Sequence, residues 1–346
     1  MVKSKAALLK RFSEPLSIEN VDIPEPKGEE VLIKVDGAGI CRTDLRIWKG
    51  IEQRPNFKLP IILGHENAGT VVAVGELAEG KVKIGQNVIV YATWGDLTCR
   101  YCREGKYFLC KNQIIPGQNT NGGFSEYMIV KSYRWLVNLN TLKPEDAAPL
   151  ADAGTTSMGA IRKAIPFLSK FAEPVIILNG IGGLATYAIQ ILRALMSNLT
   201  IVAISRSKKH RDLALELGAD YAVEMKDAEE LINKLTHGLG ASAAIDLVGT
   251  EETVYNLTKL LAQDTALILV GMEGEKISVD VFDSTVWEKK IIGSNYGTLN
   301  DLEDVVKLSE NGKIKPRITK YSLDEINTAF KELDEGRAEG RQVIIP

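Results

Sequence analysis

Hydrophobic positions in the first ~150 residues come in short runs broken by glycine: VLIKVDGAGI, NAGTVVAVG, KIGQNVIVYA and GGFSEYMIV. Such runs predict strands, and together they predict a small β-barrel-like domain. At Pro144-Glu145-Asp146 the texture changes to PEDAAPLADAGTTSMGAIRKAIPF, which predicts a helix start followed by an alanine-rich stretch. From residue 174 strands and helices alternate. The strands are PVIILNG, TIVAIS, DYAVE, AAIDLVG, TALILVG and KKIIGS, and the helices between them are IGGLATYAIQILRAL, KKHRDLALELG, AEELINKLTHG and ETVYNLTKLLAQ. This alternation predicts βαβ units and a parallel sheet. Six strands match the two-halved, doubly wound dinucleotide fold. The tail, 299–346, predicts two further amphipathic helices and a closing strand, RQVIIP.

The chain has 346 residues, enough for about two domains. Its formal net charge of −3 gives no overall basic field for nucleic acid or a membrane surface. No apolar run approaches the ~18 residues that a membrane span needs. The N-terminal MVKSKAALLKRF carries charge without an apolar core and does not read as a signal peptide. With four cysteines and no export signal, the expected location is a reducing cytoplasm, where clustered thiols bind metal more often than they form disulfides.

Three of those cysteines fall in WGDLTCRYCREGKYFLC, spaced C-x2-C-x7-C as Cys99, Cys102 and Cys110. Asp96, three residues earlier, extends the ladder to four candidate ligands, the number that a structural zinc takes. The fourth cysteine, Cys41, lies in GICRTD, and His65 and Glu66 follow in ILGHENAG. A thiolate, an imidazole and a carboxylate make a three-ligand zinc set with an open fourth position, which is a catalytic arrangement. His210 and His237, the remaining histidines, sit on polar helical stretches.

The first βα turn of the alternating half reads G-x-G-G-x-A, with Gly180, Gly182 and Gly183 between strand and helix and Ala185 in the third-glycine position. This is the pyrophosphate-binding pattern, in which backbone N–H groups at a helix N-terminus approach the phosphates. NAD enzymes usually end the second strand with an acidic residue for the ribose 2′-hydroxyl. AISRSKKHR has none there. Ser205, Arg206, Ser207 and Lys208 offer hydroxyls and positive charge instead, which suits a 2′-phosphate and favours NADP, with NAD also usable.

GHE-x2-G-x5-G at 64–75 resembles the signature of the zinc-dependent medium-chain alcohol dehydrogenases. The resemblance covers essentially the whole chain. It implies a mixed α/β and β architecture with a GroES-like catalytic domain (1–153, completed by 295–346) and a Rossmann domain (154–294). It implies Cys41, His65 and a third ligand on catalytic zinc. The third position, often cysteine in the family, is Asp152 here, and Glu66 matches an exchangeable fourth ligand. The structural lobe also departs from the usual four cysteines, with Asp96 in the first place. Thr43 matches the hydroxyl that takes the substrate proton. Arg46 stands where relatives carry a relay histidine, and an arginine cannot deprotonate. Arg42 and Arg341 match pyrophosphate contacts, and Thr156 a residue against the nicotinamide. YATWGDLTCRYCREGK, PLADAGTTSMGAIR and ISRSKKHRD resemble a sugar-oxidising archaeal branch of the family. That likeness implies oxidation of an aldose (a D-arabinose-like pentose, or L-fucose) at C1 to the lactone, the alternative being simple primary and secondary alcohols. Relatives are dimers or tetramers, so a homo-oligomer is expected. Trp48, Trp94 and Trp287 are candidate cleft aromatics, and Asn119, Asn121 and Asn295 candidate sugar contacts.

Overall fold

The computed structural model describes residues 1–338 and 340–346. The chain divides into two units. One comprises Met1–Thr155, Thr298–Gly312 and Pro316–Pro346, and the other Thr156–Gly297 and Lys313–Lys315.

The first unit is built on a seven-stranded, mostly antiparallel sheet. Its strands run in the order Ile318–Ser322, Arg341–Ile345, Val31–Ile40, Glu66–Val74, Asn87–Val90 and Leu136–Asn138, with Tyr127–Val130 also paired to Val31–Ile40. A smaller sheet joins Ser17–Ile23, Val2–Leu9 and Ile61–Ile62. The central strand, Val31–Ile40, is almost wholly buried and carries register irregularities between Leu32 and Ile33 and between Val35 and Gly37. Such bulges bend a strand and sharpen its twist. Near its end Gly39 pairs with Glu66 on one side and Val343 on the other. A Cβ on Gly39 would collide with the Glu66 carboxylate, so the missing side chain makes the space that Glu66 occupies. The expected helix at Pro144 forms, with proline at its first position, where no N–H is needed.

The second unit holds a six-stranded parallel sheet in the order Tyr221–Val223, Thr200–Ile204, Val175–Asn179, Ala243–Asp246, Ala266–Leu269 and Lys290–Gly293. All six expected strands form. Relative to chain order this is 3-2-1-4-5-6, the doubly wound arrangement whose ligand crevice lies where the order reverses, between Val175–Asn179 and Ala243–Asp246. Those two strands are buried along their whole length, as expected of a sheet covered on both faces.

Several elements escape the sequence reading, among them the strands Val2–Leu9 and Ser17–Ile23 and the helix Val281–Val286, and two others bear on the site. Ile318–Ser322 pairs parallel with Arg341–Ile345, although its residues are only exposed or half-buried. Arg42–Trp48 is a helix that begins directly after Cys41 where a loop is expected. Among the described residues no helix is long and apolar enough to cross a membrane.

Candidate active site and metal centres

Three strand ends of the first unit meet at one place. Cys41 follows Val31–Ile40, His65 and Glu66 open the antiparallel neighbour, and Arg341 opens the strand on the other side. Asp152 joins them from the turn Ala148–Ala151, just before the helix that begins at Ala153. Ligand atoms of Cys41, His65, Glu66 and Asp152 all lie within 4.8 Å of one another, and all four residues are buried. Asp152 Oδ2 is 3.4 Å from Cys41 Sγ and 3.4 Å from His65 Nε2.

Asp44, which the sequence reading passes over, organises this cluster. It is fully buried in the first turn of Arg42–Trp48. Its Oδ2 accepts the Cys41 N–H at 2.8 Å, and its Oδ1 accepts the Gly64 N–H at 3.3 Å. The same Oδ1 is 3.3 Å from His65 Nδ1. A carboxylate only accepts, so Nδ1 carries the imidazole proton and Nε2 turns its lone pair toward Cys41 and Asp152. Thr43, half-buried on the same helix, has its Oγ1 3.8 Å from Cys41 Sγ.

Arg341, expected against a pyrophosphate, is 5 % exposed and turned into the cluster. Its Nε lies 3.0 Å from both Glu66 oxygens, and its Nη2 bonds Glu66 and stands 3.4 Å from Asp152 Oδ2. Burial lifts the Glu66 carboxyl to about 7, against the pull of Arg341. Two carboxylates and a thiol face a single guanidinium in this buried site, so acidic groups outnumber the cation. Buried charge of that kind needs a partner. A divalent cation satisfies it, and the soft thiolate, imidazole and carboxylate donors suit zinc.

The second cluster is Asp96, Cys99, Cys102 and Cys110, again within 4.8 Å. Asp96 accepts the Thr98 and Cys99 N–H groups at 2.9 and 3.0 Å and the Asn112 amide at 2.8 Å. The two backbone bonds hold its carboxyl well below the usual range. Burial pushes the Cys102 thiol up to about 12. Cys99 and Cys102 sulfurs are 3.5 Å apart and form no disulfide. Three thiols and a carboxylate closed around one point suit a structural zinc.

In the second unit Gly180 adopts φ +89° at the strand-to-helix turn, and a Cβ there would press on Val248. Gly182 and Gly183 follow, ahead of the helix Ala185–Leu195. Asn179 donates to Asp246 at 2.8 Å across the two central strands. Beyond Thr200–Ile204, Ser207 caps the helix Lys208–Glu216 by accepting the His210 N–H at 3.5 Å, and Lys208 bonds Asp212 at 2.7 Å. Ser205 Oγ accepts the Ser207 N–H, and Arg206 is exposed. Arg211 fixes this segment by donating to the Ser205 and Arg206 carbonyls at 2.8 and 2.9 Å, a contact not anticipated from sequence. Thr156 is buried.

Several expected contacts are committed elsewhere. The Trp94 indole is buried and donates to the Tyr91 carbonyl, and that of Trp48 donates to the Glu14 carbonyl. Asn119 and Asn121 accept the Ile115 and Ile62 N–H groups. Asn295 and Trp287 are exposed in the second unit.

The chain belongs to the zinc-dependent medium-chain alcohol dehydrogenase family. The alcohol dehydrogenase GroES-like domain matches residues 27–141, and the zinc-binding dehydrogenase domain matches 183–311. Over 346 residues the chain is 77% identical to the D-arabinose 1-dehydrogenase (NADP(+)) of Saccharolobus solfataricus, covering 100% of this chain and 99% of that protein. It is 39% identical to an NAD-dependent alcohol dehydrogenase of Sulfolobus acidocaldarius, covering 98% and 99%. Among solved structures, the D-arabinose dehydrogenase from Sulfolobus solfataricus matches with TM-score 0.92 at 72% identity over 100% of both chains. The alcohol dehydrogenase from Aeropyrum pernix matches with TM-score 0.91 at 36% identity, covering 99% and 100%.

Proposed function

We propose that this protein oxidises D-arabinose, or a closely similar aldose, at C1 to the lactone with NADP+. The chemistry rests on the buried Cys41–His65–Glu66–Asp152 cluster, and the sugar on the 77% identity to the Saccharolobus solfataricus protein.

Cys41, His65 and Asp152 would hold the catalytic zinc, with Glu66 kept in reserve by Arg341. Asp96, Cys99, Cys102 and Cys110 would hold the structural one. When bound, zinc supplies Lewis-acid polarisation of the anomeric oxygen and NADP+ supplies the hydride acceptor. Thr43 takes the proton of the sugar hydroxyl. The first unit then serves as catalytic domain and the second as dinucleotide domain, dividing at 155/156 and 297/298 with Lys313–Lys315 in the second unit, a few residues beyond the expected 153/154 and 294/295. Gly180, Gly182 and Gly183 open the turn for the pyrophosphate, which Arg42 meets. Thr156 packs on the nicotinamide, and Arg206 with Ser205 meets the 2′-phosphate. Since Ser207 and Lys208 are tied to their own helix, their share there is smaller. Arg341 acts chiefly as counter-charge to Glu66. A homo-oligomer in the cytoplasm completes the reading.

The test is a kinetic panel of aldopentoses and simple primary and secondary alcohols, each with NADP+ and NAD+. Pentoses with NADP+ are expected to give the highest kcat/KM. Simple alcohols ahead of pentoses would replace the sugar by an alcohol.

A further inference from the structure

Beside the metal cluster runs a chain of charged groups that the chemistry above leaves unused. Arg46 lies one turn beyond Thr43 on the helix Arg42–Trp48, a spacing that puts the two side by side. Its Nε donates to Glu52 Oε2 at 3.2 Å. Arg54 Nη2 pairs with the other oxygen of Glu52 at 3.5 Å, and Arg54 Nε donates to Gln118 Oε1 at 3.0 Å. Gln118 is fully buried, on a loop that packs against Gly64, the residue before His65. A Cβ on neighbouring Gly117 would lie 2.6 Å from the Gly64 nitrogen. One end of the chain therefore starts from the helix that carries Thr43 and follows Cys41, and the other from a loop seated on the His65 segment.

The chain is not needed to fasten the 49–57 loop. Phe57 stacks on Phe12 with centroids 5.9 Å apart, Asn119 bonds the Pro55 carbonyl, and Ile51 N–H bonds the Arg46 carbonyl. The side chains of Arg46, Glu52 and Arg54 keep 31, 17 and 25 % of their surface accessible. A carboxylate flanked by two guanidiniums offers alternating acceptors and donors, and each sugar hydroxyl is both donor and acceptor. A simple alcohol has only its reacting hydroxyl to offer.

We propose that Arg46, Glu52 and Arg54, with buried Gln118 holding Arg54, form the element that recognises the non-reacting hydroxyls of the sugar and sets epimer selectivity. This rests on the sugar reading above. Glu52 and Arg54 act on specificity, leaving proton transfer to Thr43.

The experiment measures kcat and KM with NADP+ for D-arabinose and its C2, C3 and C4 epimers (D-ribose, D-lyxose, L-xylose). It compares the wild type with Glu52→Gln and Arg54→Lys, and circular dichroism checks folding. Both variants should raise the KM for D-arabinose roughly tenfold or more, with kcat less affected and the preference over at least one epimer reduced by a similar factor. Two variants keep the test decisive should one fail to fold. If both lower all four pentoses equally, the chain merely holds a loop and this inference alone falls. A wild type that oxidises no pentose overturns the sugar reading and the inference with it.

Discussion

Asp44 Oδ1 stands 3.3 Å from His65 Nδ1, and the other oxygen of the same carboxylate accepts the Cys41 N–H. One buried side chain thus orients two of the expected zinc ligands. In Asp44→Asn an amide nitrogen can face Nδ1, and the tautomer that aims the Nε2 lone pair at the metal loses its support. Losing such an outer partner costs roughly 10- to 100-fold in metal affinity or activity. Dialysis against a weak chelator followed by metal analysis should show selective loss of one zinc, with kcat falling in step. Full zinc content and wild-type kcat in the variant would remove Asp44 from this role.

How much of this is legible in sequence depends on where each partner lies. The six parallel strands are readable because each falls in a short apolar run between helical stretches, and the four inner ones are buried almost throughout. Ile318–Ser322 is not, because an exposed edge strand has no apolar face to betray it. Asp44 sits in plain view in GICRTD, yet its partner is 21 residues on and meets it only when two strands pair. Arg341 is likewise a charged residue before an apolar strand until the fold brings Glu66, 275 positions away, against it. Lys208 and Asp212 differ, since a four-residue spacing on a helix announces their pairing without any tertiary information. Cys41, His65 and Glu66 are expected together from their donor chemistry and Asp152 only from family likeness, and the fold gathers all four.

Glu66 makes the stability of the metal-free protein depend on pH. Burial lifts its folded-state carboxyl to about 7, from an ordinary value near 4.5. Between those values the folded state binds more protons than the unfolded chain, so stability falls as pH rises through that window. Denaturant titrations of the chelator-treated enzyme at pH 5 to about pH 7.5 should show this loss. Glu66→Gln, which cannot ionise, should flatten the change. An unaltered pH slope in that variant would mean that other groups carry it.

Arg206 should separate the two nicotinamide cofactors. It is the exposed cation at the end of Thr200–Ile204, and Arg211 pins its backbone in place. A hydrogen bond to a charged group is worth ~1.5–3 kcal/mol, so Arg206→Ala should raise the KM for NADP+ roughly 10- to 100-fold. The KM for NAD+, which has no 2′-phosphate, should move far less. Lys208→Ala should do less than Arg206→Ala, because its ammonium is already paired with Asp212. Equal losses for NADP+ and NAD+ in Arg206→Ala would assign the segment to some other part of the cofactor.

The cysteine lobe should govern endurance rather than turnover. Asp96 is held ionised by two backbone N–H groups, whereas burial keeps the Cys102 thiol protonated up to about 12. Metal binding there must displace thiol protons, so affinity weakens as pH falls. Cys102→Ser should therefore release this zinc at neutral pH, with thermal stability falling while kcat at moderate temperature persists. Losing a structural metal at a cost of roughly 3–5 kcal/mol would lower Tm by about 10 °C. A variant that lost its activity at 25 °C while keeping its Tm would instead place this lobe in the chemistry.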